Sequence, residues 1–442
     1  MLKLKSIEIK GIWGYRTIKT DFREDTNIFI GNNGTGKTAF LNIIEAILTV
    51  DLEQIYLSVF NEVTIYMGGD NNSRKLNIIK KMYSFNGFVI EYKVGRRKFT
   101  IPFVRDLDFR NTSRVHPQIR DILKALKEEL AIFLNICWLS VYREIPTPED
   151  NDYSANRDTK VKNTIDQRLY DLMRRLTVYQ LQLESEASKL SSEFKELVFE
   201  SMLYKPEFDE INLQNLKPVN PEDIKRKLNK AYKDLGMSSR ETLDKITTHT
   251  NKIGLAISKI EKWKADNSAG LLVNDVTPLS LLNRTLSIIE ISTRIEVKKK
   301  EIFKPIDTYL RILKDFVPEK TFKLDTESSG ELTVFCYKTK ENETTIPSPA
   351  PAPSPLPIKF LSSGEKQLII LLTETLLQKN AGYIFIADEP ELSLHISWQR
   401  KILSAIRELN ENAQIIVATH SPEIAGQWRD NIINMENISS NG

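Results

Sequence analysis

Gly31-Asn32-Asn33-Gly34-Thr35-Gly36-Lys37-Thr38 follows directly on the apolar run Ile28-Phe29-Ile30 and precedes a helix-favouring stretch at 39–48. A strand that feeds a glycine-rich loop opening a helix is the P-loop arrangement. Its glycines let backbone N–H groups turn toward phosphate oxygens, and the helix N-terminus adds its own positive end. Lys37 would supply charge for the β- and γ-phosphates, and Thr38 a hydroxyl for Mg2+. Asn32, Asn33, Gly34, Thr35, Gly36, Lys37 and Thr38 are therefore expected to hold ATP on its phosphate side.

Three later stretches narrow this reading. Residues 384–387 are apolar and end in Asp388-Glu389-Pro390. That places Asp388 at the C-terminal edge of a strand, where α/β folds bind ligands, to hold Mg2+ through water. Glu389 is the candidate general base for the attacking water. A surface turn with two acids is the plainer alternative, but the apolar strand, the P-loop and His420 accompany it. His420 ends a second apolar strand at 415–418, where it can reach a γ-phosphate. Ser362, Ser363, Gly364 and Glu365 open a helix at 365–377 and form a second phosphate-reading device, with a hydroxyl, a backbone N–H and a helix N-terminus. The P-loop already surrounds the phosphates on its own side, so this second device is most useful from an opposite subunit. His395, just beyond the acidic pair, reads either as part of a dimer-contact loop or as a helix cap.

Bulk properties exclude several classes. The 442 residues carry a formal net charge of +3, so the chain is not a polycation that coats DNA, and any nucleic-acid contact must come from a local patch. Hydrophobic residues make up 41%, ample for a globular core. Cys137 and Cys336 form no CxxC pair and lie in apolar strand-like runs, so both are expected to be buried free thiols rather than zinc ligands. The N-terminus has no signal-peptide core, and no apolar stretch approaches the roughly 20 residues that span a bilayer. The expectation is a cytoplasmic protein without a membrane segment.

Along the chain, strands are expected at 2–10, 26–30, 62–67, 75–82, 88–94, 97–103, 132–142 and 331–337, and a helix at 117–130. Residues 146–159 are polar and turn-rich. Charged amphipathic helices are then expected at 162–204, 221–235, 239–265 and 278–316. Folded as hairpins, such arms would reach about 40–60 Å. Lys225, Arg226, Lys227, Lys230 and Lys233, with Lys298, Lys299 and Lys300, form basic runs, which read first as solvated helix faces and second as a nucleic-acid or partner surface. Six prolines alternate with small residues from Pro347 to Pro357, favouring an exposed polyproline spacer. The expected domains are residues 1–145 (N-terminal lobe with the P-loop), 146–320 (helical insertion) and 321–442 (C-terminal lobe, with a Pro-rich loop at 346–358).

The four motifs together resemble the ABC-type ATPase heads of SMC, RecF and OLD-like proteins. GNNGTGKT is similar to Walker A, LSSGEKQ to the signature motif, IFIADEPE to Walker B with its catalytic glutamate, SLH to the D-loop, and THSP to the switch histidine. The resemblance covers roughly residues 1–145 and 320–435. It implies an α/β fold, an ABC-type P-loop ATPase head of mixed sheets plus helices, with an inserted mostly helical subdomain. It also implies ATP hydrolysis with Mg2+ in a head-to-head, ATP-sandwiched dimer or a larger assembly. Two departures stand out: Ser363 replaces the glycine of transporter signatures, and no Q-loop glutamine is evident, Ser140-Val141-Tyr142-Arg143-Glu144 occupying its place.

Within that group the expectation is a chain with no zinc hook, no long hinged coiled coil and no TOPRIM nuclease after His420. The resemblance then points to ATPase subunits of antiphage systems: the Septu and retron-associated PtuA group, which works with a separate HNH nuclease, or the PARIS type, which holds a TOPRIM protein. It implies a scaffold for a separately encoded nuclease, with slow regulatory turnover and no nuclease activity of its own. A RecF-like repair ATPase gripping DNA is the alternative, and a nucleotide-glued interaction protein with negligible turnover a third.

Overall fold

A computed structural model describes residues 2–69, 72–84, 87–104, 117–140, 164–203, 219–265, 277–324, 330–336 and 355–441. The order begins β1 (Lys3–Ile12), β2 (Arg16–Asp21), β3 (Thr26–Ile30), α1 (Lys37–Thr49) and α2 (Leu52–Leu57). It continues β4 (Glu62–Gly68), β5 (Ser73–Ser84), β6 (Gly87–Val94), β7 (Arg97–Val104), α3 (Pro117–Ala131) and β8 (Ile136–Ser140). Four long helices follow: α4 (Thr164–Glu200), α5 (Pro221–Asp234), α6 (Arg240–Ala265) and α7 (Leu282–Phe316). The chain then forms β9 (Lys320–Leu324), β10 (Leu332–Cys336), β11 (Pro355–Leu356) and α8 (Ser363–Leu377). It closes with β12 (Ile384–Asp388), α9 (Ile396–Leu409), β13 (Gln414–Ala418), α10 (Pro422–Gly426), β14 (Ile432–Asn434) and β15 (Ser439–Asn441). The class is α/β with mixed sheets.

The chain divides into two compact units, Met1–Thr177 with Thr308–Gly442, and Val178–Asp307. The first contains a seven-stranded sheet in the order β15-β2-β1-β4-β5-β6-β7, a three-stranded sheet β11-β10-β9, and a five-stranded sheet β14-β3-β13-β12-β8. All pairings given for the seven-stranded sheet are antiparallel, and all those of the five-stranded sheet are parallel. Helix α1 is apolar on nearly every side, as a helix enclosed by other elements must be. Its Phe40, Leu41, Ile43, Ile44, Ile47 and Leu48 are all buried, and Phe40 lies against Phe29 of β3 with ring centroids 5.0 Å apart. Each such side chain contributes roughly 1.5–3 kcal/mol of transfer free energy, so the helix that follows the P-loop is anchored by burial rather than by propensity.

Helix α8 is almost entirely buried although it carries Glu365, Lys366, Gln367, Thr373, Glu374 and Thr375. Its charges survive burial because they are paired. Lys366 Nζ donates to Asp166 at 2.7 Å, Glu365 accepts from Lys320, and Glu374 accepts from Arg168 with Arg175 at 3.6 Å. The Tyr309 and Thr373 hydroxyls are 2.8 Å apart.

The second unit is helical. One cluster packs Ile224 and Leu228 of α5 with Ile246, Ile253 and Ile260 of α6 and with Leu282 and Ile289 of α7. The basic runs of this unit sit largely on ion pairs: Arg226 and Lys227 with Asp223, Lys230 and Lys300 with Glu296, and Lys298 with Glu193. That arrangement fits the solvated-face reading.

Two expectations are corrected. The strand expected at 132–142 starts only at Ile136, because Leu134 N–H still bonds back to the Leu130 carbonyl at 2.9 Å and finishes the turn after α3. Cys336 is exposed, not buried. It ends β10 opposite Lys320, the first residue of β9, so the apolar alternation of Leu332 and Val334 runs out before reaching it. Residues 141–163, with the polar stretch, the expected 145/146 boundary and Arg143, and the proline run up to 354 lie outside the described residues.

Candidate nucleotide site

The parallel sheet gathers the motifs. In a parallel sheet all C-terminal strand ends open on one edge, and ligands bind outside it. Register places Asp388 beside Ala418, and Ala418 beside Phe29. The loops leaving β3, β12 and β13, which carry the P-loop, Glu389 and His420, therefore emerge side by side. On the other flank Asp388 pairs in register with Ser140, the last residue of β8.

Within the P-loop, Asn32, Asn33, Gly34 and Thr38 are exposed while Thr35, Gly36 and Lys37 are buried. Lys37 Nζ donates to the carbonyls of Gly31 at 2.8 Å and Asn32 at 3.2 Å, and Thr35 Oγ1 donates to Asn32 O at 2.9 Å. Burial pulls the Lys37 ammonium below its ordinary range, against the charges of Glu389 and Asp388. Gly36 has φ 98°, and a Cβ there would lie 2.9 Å from the Trp13 ring, so both conformation and space require glycine. Trp13, at φ 53°, comes from the β1–β2 turn; the Arg16 guanidinium lies 6.0 Å from its ring centroid and donates to Thr35 O at 2.8 Å.

Asp388 is hydrogen-bonded by the Thr38 hydroxyl, yet burial pushes its carboxyl above the ordinary range. Its Oδ1 is buried without a hydrogen-bond partner among the described residues. A hard cation would satisfy that oxygen and offset the burial of its charge, so Thr38 and Asp388 fit Mg2+. No cluster of three or more His, Cys, Asp or Glu among the described residues could hold a metal, so most remaining ligands would be phosphate oxygens and water, as Mg2+ prefers. Glu389 adopts φ 48°, a left-handed conformation that costs a non-glycine residue energy and persists where the surroundings impose it. Its N–H donates to Ala418 O at 2.8 Å. Glu389 Oε1 then lies 3.8 Å from His420 Nε2, both side chains being partly open to solvent.

Ser362, Ser363, Gly364 and Glu365 form the capped start of α8. Ser362 Oγ accepts from Glu365 N at 3.3 Å, and Glu365 Oε2 accepts from Ser362 N at 2.9 Å, a capping box. Burial works to raise the Glu365 carboxyl, but the Lys320 ion pair and the Ser362 bonds outweigh it and hold it below the ordinary range. A Cβ on Gly364 would stand 2.5 Å from Ser393 O, so the turn after Asp388-Glu389-Pro390-Glu391 packs directly on Gly364. No hydrogen bond or ion pair among the described residues joins 362–365 to the P-loop. His395 caps α9, its Nδ1 accepting from Ser397 N at 3.3 Å.

The family model of the AAA ATPase domain matches residues 2–425. The chain belongs to the AAA ATPase domain family. This AAA ATPase is also 38% identical, over 76 residues, to the retron Ec83 probable ATPase of Escherichia coli, a stretch covering 14% of each chain. It is 50% identical over 46 residues to the DNA replication and repair protein RecF of Lactococcus lactis, covering 10% of this chain and 12% of RecF. Among solved structures, the Smc head domain with an extended coiled coil bound to the C-terminal domain of ScpA, from Pyrococcus furiosus, aligns over 98% of this chain and 93% of its own, at 15% identity and TM-score 0.44. The Smc head domain with a coiled coil and joint from Pyrococcus yayanosii aligns at 13% identity and TM-score 0.38. No helix among the described residues is long and apolar enough to cross a membrane.

Four residues of this AAA ATPase were not singled out by their sequence. Trp13 and Arg16 follow Gly11 and Gly14, a turn signal ahead of the P-loop that could have drawn attention to them. Glu391, the last acid of DEPE, is buried, and burial raises its carboxyl against the donors of Thr419, Ser421 and His420. Gln399 lies one turn into α9, and a lone glutamine there carries no sequence signal.

Proposed function

We propose that this chain is an ABC-type ATPase subunit that hydrolyses ATP slowly, as a regulatory step, and scaffolds a separately encoded nuclease in a cytoplasmic antiphage complex. The observation that carries the ATPase half is the shared sheet edge where β12 ends in Asp388 and where the loops after β3, β12 and β13, which lead to Lys37 and Thr38, to Glu389 and to His420, lie side by side. Backbone N–H groups at 33–38 and Lys37 would bind the phosphates. Thr38 and Asp388 would hold Mg2+, which supplies charge neutralisation between the phosphates when bound. Glu389 orients the attacking water and accepts its proton, and His420 stands beside Glu389 to contact the γ-phosphate. Ser362 to Glu365 complete the site of a second copy. The defence half is supported by the similarity to a retron ATPase.

The match to RecF supports a second reading, direct action on DNA. One experiment separates them. Glu389→Gln protein is tagged, co-expressed with its native flanking genes, and recovered in ATP and Mg2+. A stoichiometric nuclease chain in the eluate is expected. Recovery of DNA alone, with turnover stimulated by DNA and affinity falling steeply with salt, would move the assignment to repair.

A further inference from the structure

Glu391 sits at the turn between β12 and α9, 7% exposed, with no substrate-facing role in the scheme above. One carboxylate oxygen, Oε1, accepts from three donors of the loop after β13: the Thr419 hydroxyl, His420 N–H at 3.2 Å and Ser421 N–H at 3.2 Å. Gln399 holds the same loop from the other side. Ser421 Oγ donates to Gln399 Oε1 at 2.7 Å, while Gln399 Nε2 donates to Leu394 O at 3.0 Å. Leu394 lies between Ser393, whose backbone at φ 69° abuts Gly364, and His395. An unbroken chain of bonds thus runs from the turn packed on the signature glycine, through Gln399 and Ser421, to Glu391 and the backbone of His420.

We propose that Glu391 is a positioning residue for ATP hydrolysis. It fixes the backbone of His420 so that the imidazole stands at Glu389, and Gln399 ties that setting to the 393–395 turn. The inference rests on the ATPase reading of His420 and Glu389. A carboxylate suits the task because one charged oxygen can accept from two backbone N–H groups and a hydroxyl at once. The neighbouring Oε2 is buried without a hydrogen-bond partner among the described residues, so the bonds at Oε1 carry the contact. Displacing His420 would slow the chemical step and leave phosphate binding at the P-loop intact.

The test is ATP hydrolysis by the full chain, with ATP affinity read separately by titration of a fluorescent ATP analogue. Glu391→Ala is expected to lower kcat about 10- to 100-fold, with KM and affinity within about twofold of wild type. Glu391→Gln, which keeps a carbonyl acceptor, restores most of the rate. In a His420→Ala background Glu391→Ala adds no further loss, because both changes remove one contribution. Multiplying losses in the double variant, affinity falling in step with kcat, or an unaltered kcat in Glu391→Ala each overturn the proposal. Should Glu391→Ala fail to fold, Gln399→Ala carries the comparison: it is expected to lower kcat several-fold with affinity within about twofold, and a full rate in Gln399→Ala overturns the proposal. His420→Ala reads the underlying assignment. A full-rate His420→Ala ends the hydrolytic role of His420 and this proposal together, whereas a slow His420→Ala beside a full-rate Glu391→Ala ends only the latter.

Discussion

Burial holds the Asp388 carboxyl above its ordinary value of 3.8, and its Oδ1 has no hydrogen-bond partner among the described residues. Without nucleotide, the ionised side chain therefore opposes folding. A carboxylate raised in the folded state destabilises it at neutral pH. That cost is relieved as pH falls through the folded value and is gone below 3.8, where the unfolded chain is protonated too. Asp388→Asn is expected to raise the apparent Tm of the nucleotide-free protein at pH 7 by about 2 °C, with the advantage shrinking toward pH 4, and to abolish Mg2+-dependent turnover. Differential scanning calorimetry across pH reads the first effect and phosphate release the second. An apo Tm that drops at pH 7 would mean that the charge is better satisfied than the structure shows. The position of Asp388 was legible because an apolar run ended in it. Its missing partner was not, since burial of single atoms depends on neighbours hundreds of residues away.

Among elements, α8 makes the sharpest prediction. Its capping box joins Ser362 and Glu365, and Glu365 also pairs with Lys320. Ser362→Ala should cost about 1 kcal/mol of stability in urea unfolding. Glu365→Gln should cost more, because it leaves Lys320, partly buried, without its counter-charge. The folded Glu365 carboxyl lies below its ordinary 4.5, so its contribution is present above that value and is lost as pH falls through the folded one. The gap between wild type and Glu365→Gln should thus close below pH 4.5, and a gap constant down to pH 3 would refute the ionic account. Strand β3 was read at its observed bounds, and α4, α5, α6 and α8 within a few residues, because long apolar periodicities and glycine or proline signals mark them. The strands β2, β9, β11, β14 and β15 and the short helices α2 and α10 were missed. Strands such as Ile432–Asn434 and Ser439–Asn441 are too short to show a period and exist because β3 and β2 offer them an edge. Cys336 shows the converse, a correct strand whose last residue outruns its core.

At the scale of the whole molecule, the signature residues raise the question of a second copy. Ser362 and Ser363 are exposed at the start of a helix whose remaining turns are buried, and no hydrogen bond or ion pair among the described residues ties them to the chain's own P-loop. A charged side chain at Ser362 should therefore leave ATP binding by one copy untouched and obstruct the approach of another. In a Glu389→Gln background, where bound ATP persists, the parent is expected to become dimeric in ATP and Mg2+ by light scattering on size exclusion. Ser362→Arg in that background should remain monomeric while its ATP affinity stays within about twofold. Lys37→Ala should lose both properties, because it removes the nucleotide that would bridge the copies. The contrast separates binding from engagement: a Ser362→Arg protein that still dimerises would place the signature outside the interface, and one that no longer binds ATP would place it within a single chain's own site.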